Sequence, residues 1–470
     1  MSDDLLNLSL TEVAGLIRRR KVSSLEVTRA IIARAQRVQP KLNCFISLEA
    51  EEALKAARAA DRAIARKAKV GPLHGVPLAH KDMYYREGKV STCGSKILRD
   101  YRADTTSTAV ERLAAAGAIW LGGLNMAEFA ANPTGHNEHW GHCRNPWNPA
   151  HLTGGSSSGS GSAVGSRACY GSLGSDTGGS VRLPAAMCGV VGIKPTYGRV
   201  SRHGILPRAW SLDTVGHLTR TARDCARMLR AISGHDPRDA TSSREPVPHY
   251  EEMLNERIRG LRIGVPKNHY HDDIAPDVAK RMEESLAVLR SLGARLVDVT
   301  VPDPQAIFLI SNTISLCEAA TLHAEWMRTR PQDYSLLVRT RVEPGYHIPA
   351  PSYLEALNLR PRVTREFVET VLDKCDVLHI PVITMPVPTI AETEVGASAQ
   401  VPALIARITR NTRPFNYLGT PALSVPAGFT DNGLPAAFQL VGRPFAEGLL
   451  LRVAHAYQGE TSWHTLMPKL

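Results

Sequence analysis

The amino-acid sequence predicts an α/β fold, with a mostly parallel or mixed β-sheet and helices on both of its faces. From residue 72 onward, short β-branched or apolar runs alternate with segments that have the apolar spacing of helices. The 470 residues are 43% hydrophobic, which is enough to bury the core of one large unit. The runs that predict strands are 118–121, 190–193, 263–265, 296–299 and 377–380, and helical patterns include 108–116 and 222–232.

The first 70 residues have the patterns of helices. Ser23 and Glu26 have the spacing of a capping box, and an apolar helical face follows them. We expect Pro40 to end this helix, because proline interrupts helical hydrogen bonding. A second helix, rich in Ala and Glu, is predicted over 51–67.

Length and pattern together predict how the chain is organised. A helical segment, 1–70, should pack on an α/β core that spans 71–470. Within this core, the segment 305–375 has mainly helical patterns, and we expect it to lie over the sheet.

Composition argues against a membrane or secreted protein and against a nucleic-acid-binding protein. No window of 18 uninterrupted apolar residues is present, and the first ten residues contain two acidic and no basic side chains, unlike a signal peptide. We therefore expect a cytoplasmic protein with no membrane association. The formal net charge is +11, but the basic residues are scattered in short groups. This pattern indicates a solvated basic surface, so no nucleic-acid partner is expected.

The most informative segment is a run rich in Gly and Ser, 153–180. It does not end as a flexible linker would, because Asp176 and Arg182 flank Ser180 and core-like apolar sequence follows directly. A glycine-rich turn that presents a Ser at the start of a short helix is typical of an exposed nucleophile. The alternative, from the residues alone, is that Ser180 only caps the next helix.

The backbone beside this serine predicts an oxyanion hole. The N–H groups of Thr177, Gly178, Gly179 and Ser180 can converge on one point, because the two glycines allow conformations closed to other residues. Such a point would hold the negative oxygen of a tetrahedral intermediate. One donor of this kind typically contributes about 3–4 kcal/mol to transition-state stabilisation.

These residues resemble the signature of the amidase signature family, the Ser–cis-Ser–Lys hydrolases. The resemblance rests on Gly-Gly-Ser-Ser at 154–157 and on Asp-x-Gly-Gly-Ser-hydrophobic-Arg-x-Pro at 176–184. A second patch, Gly-Pro-Leu-His-Gly-Val-Pro-Leu-Ala-His-Lys-Asp at 71–82, is similar to the family's lysine-bearing segment. The resemblance covers nearly the whole chain, more loosely over 240–400. It implies an α/β fold with a single large twisted mixed β-sheet flanked by helices on both faces.

The resemblance implies catalytic roles for three side chains. Ser180 would be the nucleophile, Lys81 the general base and Ser156 the proton relay between them, with a cis peptide bond between Gly155 and Ser156. Lys81 follows an apolar run typical of a buried strand end, so burial would lower its pKa from about 10.4 by roughly 2–3 units. The alternative is that Lys81 pairs with Asp82 in a surface salt bridge.

Asp176 and Arg182 are predicted to support the catalytic loop rather than to react. An Asp can accept backbone N–H groups in a tight turn, and an Arg can donate a fork of hydrogen bonds to carbonyls or to a carboxylate. Both side chains flank the nucleophile in the sequence.

A loop with three His and one Cys within 136–143 raises the question of a metal site. Its spacing matches no known zinc pattern, and Ser–Lys chemistry needs no metal. We therefore expect no metal and no cofactor, and we expect the loop 135–143 to line the substrate entrance instead.

The chemistry implied by the resemblance is hydrolysis of the C–N bond of a carboxylic amide. Ser180 would form an acyl-enzyme that water then hydrolyses, and the same machinery can cleave esters or carbamates. The expected partner is a small-molecule amide, covered by the helical segment 305–375, and a homodimer is left open. We expect the pocket to form from 125–143 and 305–355. Apolar and aromatic side chains there favour an aryl or alkyl acyl group: Met126, Phe129, Trp140, Trp326, Tyr346 and Tyr353.

Three alternatives compete with a stand-alone amidase of the bacterial type. The first is the amidase subunit of a tRNA-dependent amidotransferase, but its Arg-Phe-Asp-Gly motif is missing and 316–330 resembles stand-alone amidases. The second is a catalytically inactive scaffold or binding protein, and the three filled catalytic positions argue against it. A Ser-His-Asp triad is disfavoured, because no Gly-x-Ser-x-Gly elbow surrounds Ser180.

Overall fold

The structure, a computed structural model, describes residues 2–394, 396 and 398–470. Its strands are β1 (Pro77–Lys81), β2 (Ile119–Leu124), β3 (Gly171–Asp176), β4 (Val191–Lys194), β5 (Thr214–Thr219), β6 (Arg262–Pro266), β7 (Arg295–Val299), β8 (Val377–Pro381), β9 (Ala422–Phe429) and β10 (Pro435–Val441). Its α-helices are α1 (Ser2–Asn7), α2 (Leu10–Arg18), α3 (Ser24–Leu42), α4 (Ala50–Ala65), α5 (Thr108–Ala115), α6 (Ser158–Gly165), α7 (Arg182–Cys188), α8 (Ala222–Ile232), α9 (Tyr250–Met253), α10 (Pro276–Ser291), α11 (Pro304–Leu322), α12 (Ala324–Thr329), α13 (Leu336–Val342), α14 (Ala350–Phe367), α15 (Val401–Thr409), α16 (Pro414–Tyr417) and α17 (Glu447–Gly459).

Within the described residues, the ten strands form one mixed sheet in the order β2-β1-β3-β5-β4-β9-β10-β8-β6-β7. Four neighbouring pairs are parallel: β1 with β2, β1 with β3, β6 with β7, and β6 with β8. The remaining neighbours are antiparallel. The predicted α/β fold on a mixed sheet is confirmed, and the five predicted strands overlap β2, β4, β6, β7 and β8.

Apolar clusters cover both faces of the sheet. Successive side chains of a strand point to opposite faces. In β9 and β10, Leu423 and Leu440 belong to a cluster that includes the buried side chains of α17. Their neighbours Ala422 and Val441 belong to a second cluster, with side chains of α14 and α16. Helices therefore bury both faces, which explains why several strands are continuous apolar runs in the sequence.

Helix α3 begins at the predicted capping box. The Ser23 hydroxyl accepts the backbone N–H of Glu26, and the Glu26 carboxylate accepts the N–H of Ser23. The prediction that Pro40 ends this helix is wrong, because α3 continues to Leu42. The φ angle of proline is itself helical, so in the last turn it costs little beyond one lost hydrogen bond.

Helix α11 is the one described helix that is long and apolar enough to cross a membrane, judged by length and composition alone. It has 19 residues, with a mean hydropathy of 1.2. Its Ile307 and Ile314 side chains are buried in the same cluster as Phe367 and Phe415. A core helix of a globular protein passes the same test, so the feature is weak evidence for a membrane span. Helices α11 to α14 together make up most of the segment 304–367.

Candidate active site

Two parallel strands bring the predicted site residues to one edge of the sheet. Lys81 is the last residue of β1, and Asp176 is the last residue of β3. The register pairs Ala79 with Ser172 and His80 with the residue after it. Because the strands are parallel and in this register, their carboxyl ends meet at the same edge, where α/β proteins commonly place functional groups.

Lys81 is fully buried and hydrogen-bonded to two serine hydroxyls. Its Nζ donates to Oγ of Ser156 at 2.6 Å and to Oγ of Ser175 at 2.8 Å. Ser175 in turn contacts the sulfur of Met83 at 3.1 Å. Ser175 was not predicted as a partner of Lys81, because the contact depends on the pairing of β1 with β3.

Burial lowers the pKa of Lys81 to about 7, and the more distant charges of Asp213 and Asp176 oppose that shift. A substantial fraction of the lysine is therefore neutral near pH 7. The alternative of a surface salt bridge with Asp82 is wrong. The Asp82 carboxylate instead accepts the backbone N–H of Thr92 at 2.8 Å and its hydroxyl at 2.5 Å.

Ser156 follows a cis peptide bond, the one between Gly155 and Ser156. A Cβ atom on Gly155 would lie 2.5 Å from the backbone nitrogen of Gly135 and 2.7 Å from the carbonyl oxygen of Asn132. Only glycine fits at that point. The carbonyl of Ser156 accepts the N–H of Ala127 at 3.0 Å, so a hydrogen bond also fixes the backbone that follows Ser156.

Ser180 lies just before α7 and lines a cavity. Its hydroxyl forms no hydrogen bond with any other described residue, and α7 begins after Val181 with no side-chain cap. The structure therefore does not support the alternative that Ser180 only caps the next helix. A hydroxyl that lines a cavity and has no hydrogen-bond partner is accessible to a substrate carbonyl.

The loop before Ser180 leaves three of the four predicted oxyanion donors available. The N–H of Gly179 donates to Oδ1 of Asp176 at 2.8 Å and is therefore engaged. In the described part of the chain, no hydrogen bond uses the N–H groups of Thr177, Gly178 or Ser180. Gly179 has φ +128°, and a Cβ there would lie 2.3 Å from the Thr412 hydroxyl, so the turn requires glycine.

Asp176 and Arg182 form a fully buried, bidentate ion pair beneath the loop. The Arg182 Nε and Nη2 atoms donate to the two carboxylate oxygens at 3.0 and 2.9 Å. Burial alone would raise the pKa of Asp176, but the Arg182 guanidinium holds it well below its usual range. Three residues complete the network by accepting from Arg182: Thr412, Asn416 and Gln439.

Asp213 is a second support that the sequence analysis missed. Its Oδ1 accepts the hydroxyl of Thr177 at 2.6 Å, and its Oδ2 accepts the backbone N–H groups of Arg208 and Ala209. No sequence motif marks it, because it is distant from the signature along the chain.

The histidine loop forms ordinary polar contacts. His136 contacts the Thr393 hydroxyl at 2.8 Å, and His139 contacts the Glu128 carboxylate at 3.1 Å. Over residues 2–394, 396 and 398–470, no group of three His, Cys, Asp or Glu side chains is placed to hold a metal. The cavity at Ser180 is lined by 130–133, which lies within the predicted pocket segment 125–143. The expectation that 135–143 lines the substrate entrance stays a prediction.

The aromatic residues expected in the pocket also lie elsewhere. Phe129 packs against the rings of His323, Trp326 and Tyr334, with centroids 4.7 to 5.5 Å apart. None of the six apolar and aromatic side chains expected there lines the cavity at Ser180 or the larger cavity next to it. Met126 and Phe129 are buried in the core, whereas Tyr346 is exposed.

The chain is similar to known proteins over nearly its whole length. The model of the Amidase family matches residues 26–451. The chain belongs to the amidase signature family. The amidase is 39% identical to the A subunit of the glutamyl-tRNA(Gln) amidotransferase from Geobacter metallireducens, over 98% of this chain and 99% of that protein.

Solved structures with the same fold include hydrolases that are not named as amidotransferase subunits. A 6-aminohexanoate cyclic dimer hydrolase complexed with substrate has a TM-score of 0.90 and 28% identity, over 99% of both chains. A protein described as an amidase has a TM-score of 0.85 and 31% identity, over 96% of this chain and 100% of that chain. The protein is thus an amidase signature hydrolase that acts on amide C–N bonds.

Proposed function

We propose that Lys81, Ser156 and Ser180 hydrolyse an amide through an acyl-enzyme. The Ser180 oxygen attacks the carbonyl and passes its proton to Ser156. Ser156 in turn gives its own proton to neutral Lys81. The backbone N–H groups of Thr177, Gly178 and Ser180 stabilise the tetrahedral oxyanion. The proton returns through Ser156 to the departing amine or ammonia, and water then cleaves the ester to free the serine.

The observation that carries this proposal is the contact between Lys81 and Ser156. A 2.6 Å hydrogen bond joins the two groups that must exchange a proton, and both are fully buried. A lysine with a pKa of about 7 can accept that proton at neutral pH, whereas an exposed lysine cannot.

We further propose that the amidase acts on small amides by itself. Two features of the sequence support this: it lacks the Arg-Phe-Asp-Gly motif, and 316–330 resembles stand-alone amidases. The competing function is the glutamine-hydrolysing subunit of an amidotransferase. It is favoured by the names of relatives that are 39–40% identical over nearly the full length.

The test is covalent labelling with a serine-directed phosphonate, followed by intact-mass spectrometry. The wild type should gain one adduct, and the Ser180→Ala variant should gain none while keeping its unfolding temperature. Ser160→Ala is the matched control, because this buried serine only donates to the carbonyl of Leu173. An adduct of equal yield on the Ser180→Ala variant would assign the nucleophile to another residue.

A further inference from the structure

A small cavity at the nucleophile lies next to a larger one. The smaller, about 40 Å³, is lined by Ser180 and by the oxyanion-loop residues Thr177 and Gly178. The larger, about 520 Å³, has a mainly apolar lining that includes Phe308 and Ile405. The two cavities are adjacent, because five residues line both: Asn312, Leu316, Arg341, Thr409 and Arg413.

Three arginines line the small cavity: Arg208, Arg341 and Arg413. No described residue that lines either cavity is an Asp or a Glu. The Arg413 guanidinium lies directly against the oxyanion loop, because a Cβ atom on Gly178 would be 3.3 Å from its Cζ. Positive charge is therefore concentrated within a few ångströms of the point where the substrate carbonyl would bind.

The guanidinium groups have few partners of their own. Arg208 donates only weakly, to the carbonyls of Ser315 at 3.3 Å and Arg341 at 3.4 Å. Among residues 2–394, 396 and 398–470, neither Arg341 nor Arg413 donates a side-chain hydrogen bond, and the Nε atom of each is buried without a partner. An arginine has five N–H donors, and leaving them buried and unpaired is costly.

Two nearby carboxylates, Asp213 and Glu318, offset part of the charge of Arg208 but line neither cavity. Asp213 is occupied by the Thr177 hydroxyl and two backbone N–H groups. Glu318 is occupied by Ser211 and by the hydroxyl of Tyr353. No ion pair within 4 Å links any of the three arginines to a carboxylate in the described chain. Burial lowers the pKa of Arg413 to about 9, and its two arginine neighbours add to this effect.

From this arrangement we infer that the substrate is an amide that carries a carboxylate a few bonds from the scissile carbonyl, bound by Arg413 and Arg341 with Arg208 behind them. The planar fork of an arginine matches a carboxylate, and two such groups would satisfy the unpaired donors. The small cavity has room for a compact carboxylate next to the carbonyl. The remainder of the substrate extends into the larger, apolar cavity.

The same arrangement disfavours a zwitterionic amide such as glutamine. Its ammonium group would find no carboxylate in either cavity and would be repelled by three guanidinium groups. This inference rests on the proposed function, because it describes which amide reaches Ser180.

The experiment compares monoamides of dicarboxylic acids with neutral amides of the same length. Malonamate, succinamate and glutaramate are each assayed for ammonia release beside propionamide, butyramide and valeramide, with glutamine as the zwitterion. The wild type should prefer the best carboxylate amide over its neutral isostere by about 10- to 100-fold in kcat/KM. Glutamine should be a poor substrate.

Arg413→Met and Arg341→Met should each reduce that preference by about 10-fold or more, mainly through a higher KM. Arg339→Met is the matched control. Arg339 lies on α13 with Arg341, but it pairs with Glu343 and lines neither cavity. The control should keep the wild-type preference. Unfolding temperatures are measured for all variants, and Arg413→Lys should recover part of the preference because it restores the charge.

A second readout uses the wild type alone, so it does not depend on whether the variants fold. Malonate, succinate or glutarate should slow phosphonate labelling of Ser180, and propionate and butyrate should do so much less. Equal hydrolysis of acidic and neutral amides, or no protection by any dicarboxylate, would overturn the inference even if Ser180 is labelled. Absence of labelling at Ser180 would instead reject the proposed function.

Discussion

Lys81 shows how a single buried residue sets the pH dependence of the site. Only the neutral amine can take the proton of Ser156, so kcat/KM should rise with pH along one ionisation. With the pKa of Lys81 lowered to about 7 by burial, that rise should be centred near pH 7 rather than near 10.4. A pH profile of kcat/KM on a simple amide measures this directly.

Two substitutions of Lys81 test whether this lysine acts as a base or only supplies positive charge. Lys81→Met keeps the bulk of the side chain and removes the base, so a loss of about 10³-fold or more is expected. Lys81→Arg should be equally poor, because a guanidinium does not lose its proton at these pH values. Near-normal activity in the Arg variant would mean that Lys81 supplies charge rather than accepting a proton.

Ser175 is expected to act as a positioning residue for Lys81. Its hydroxyl accepts from Nζ at 2.8 Å, and this hydrogen bond favours the charged form of the lysine. Ser175→Ala should lower kcat/KM by about 10-fold and shift the rise of the pH profile to lower pH. Ser172 lies on the same strand, and its hydroxyl donates to the Ser160 carbonyl. The control variant Ser172→Ala should therefore change neither kcat/KM nor the pH profile. An unshifted profile in Ser175→Ala would leave it a purely structural role.

Sequence patterns could identify Lys81, Ser156 and Ser180, because each lies in a contiguous motif. They could not identify Ser175 as the second partner of Lys81, because that contact depends on the pairing of β1 with β3. Nor could they identify Arg413, which is more than 220 positions from the motif and approaches Gly178 only in the folded chain. The aromatic residues predicted to line the pocket do not line it, because the folded chain, and not the local sequence, decides which side chains face the cavity.

At the scale of elements, the turn between β3 and α7 is held by the buried pair of Asp176 and Arg182. Arg182→Met would leave the carboxylate buried without its counter-charge, so the free energy of unfolding should fall by about 3–5 kcal/mol. Chemical denaturation at pH 7 measures this loss. Arg339→Met breaks only the exposed pair with Glu343 and should cost at most about 1 kcal/mol.

The pH dependence of that loss has a definite sign. The pKa of Asp176 is lower in the folded protein than in the unfolded chain, where it is about 3.9. Its stabilising contribution is therefore complete above about pH 4 and is lost as the pH falls further. The difference in stability between wild type and Arg182→Met should be largest at neutral pH and should shrink in acid. A difference independent of pH would indicate that packing, not charge, is lost.

Element boundaries were predicted best where side chains themselves determine the structure. The capping box of α3 and the apolar runs of β6, β7 and β8 follow directly from local residue types. Strand β3, Gly171–Asp176, has the sequence GSLGSD, which has low strand propensity, and was not predicted. Its glycines allow close packing: a Cβ on Gly174 would lie 3.0 Å from the Ser157 hydroxyl.

At the scale of the whole molecule, one chain supplies every group that the proposed reaction uses. Antiparallel pairing of β4 with β9 joins the half that carries Ser180 to the half that carries Arg413. The helices that follow β7 then add Arg341 and the apolar walls of the larger cavity. The proposed steps therefore need no residue from another chain.

The last prediction follows from that completeness. The purified amidase should release ammonia from a carboxylate-bearing amide by itself, and charged tRNA, ATP and amidotransferase partner proteins should change kcat/KM by less than about 2-fold. The assay is run with and without these additions, on the same enzyme preparation. The control is Ser180→Ala, which should be inactive in both conditions. Activity on glutamine that appears only with partners and charged tRNA would show instead that the chain is one component of an amidotransferase. In that case a partner would be needed to activate a site that is inactive in the chain alone.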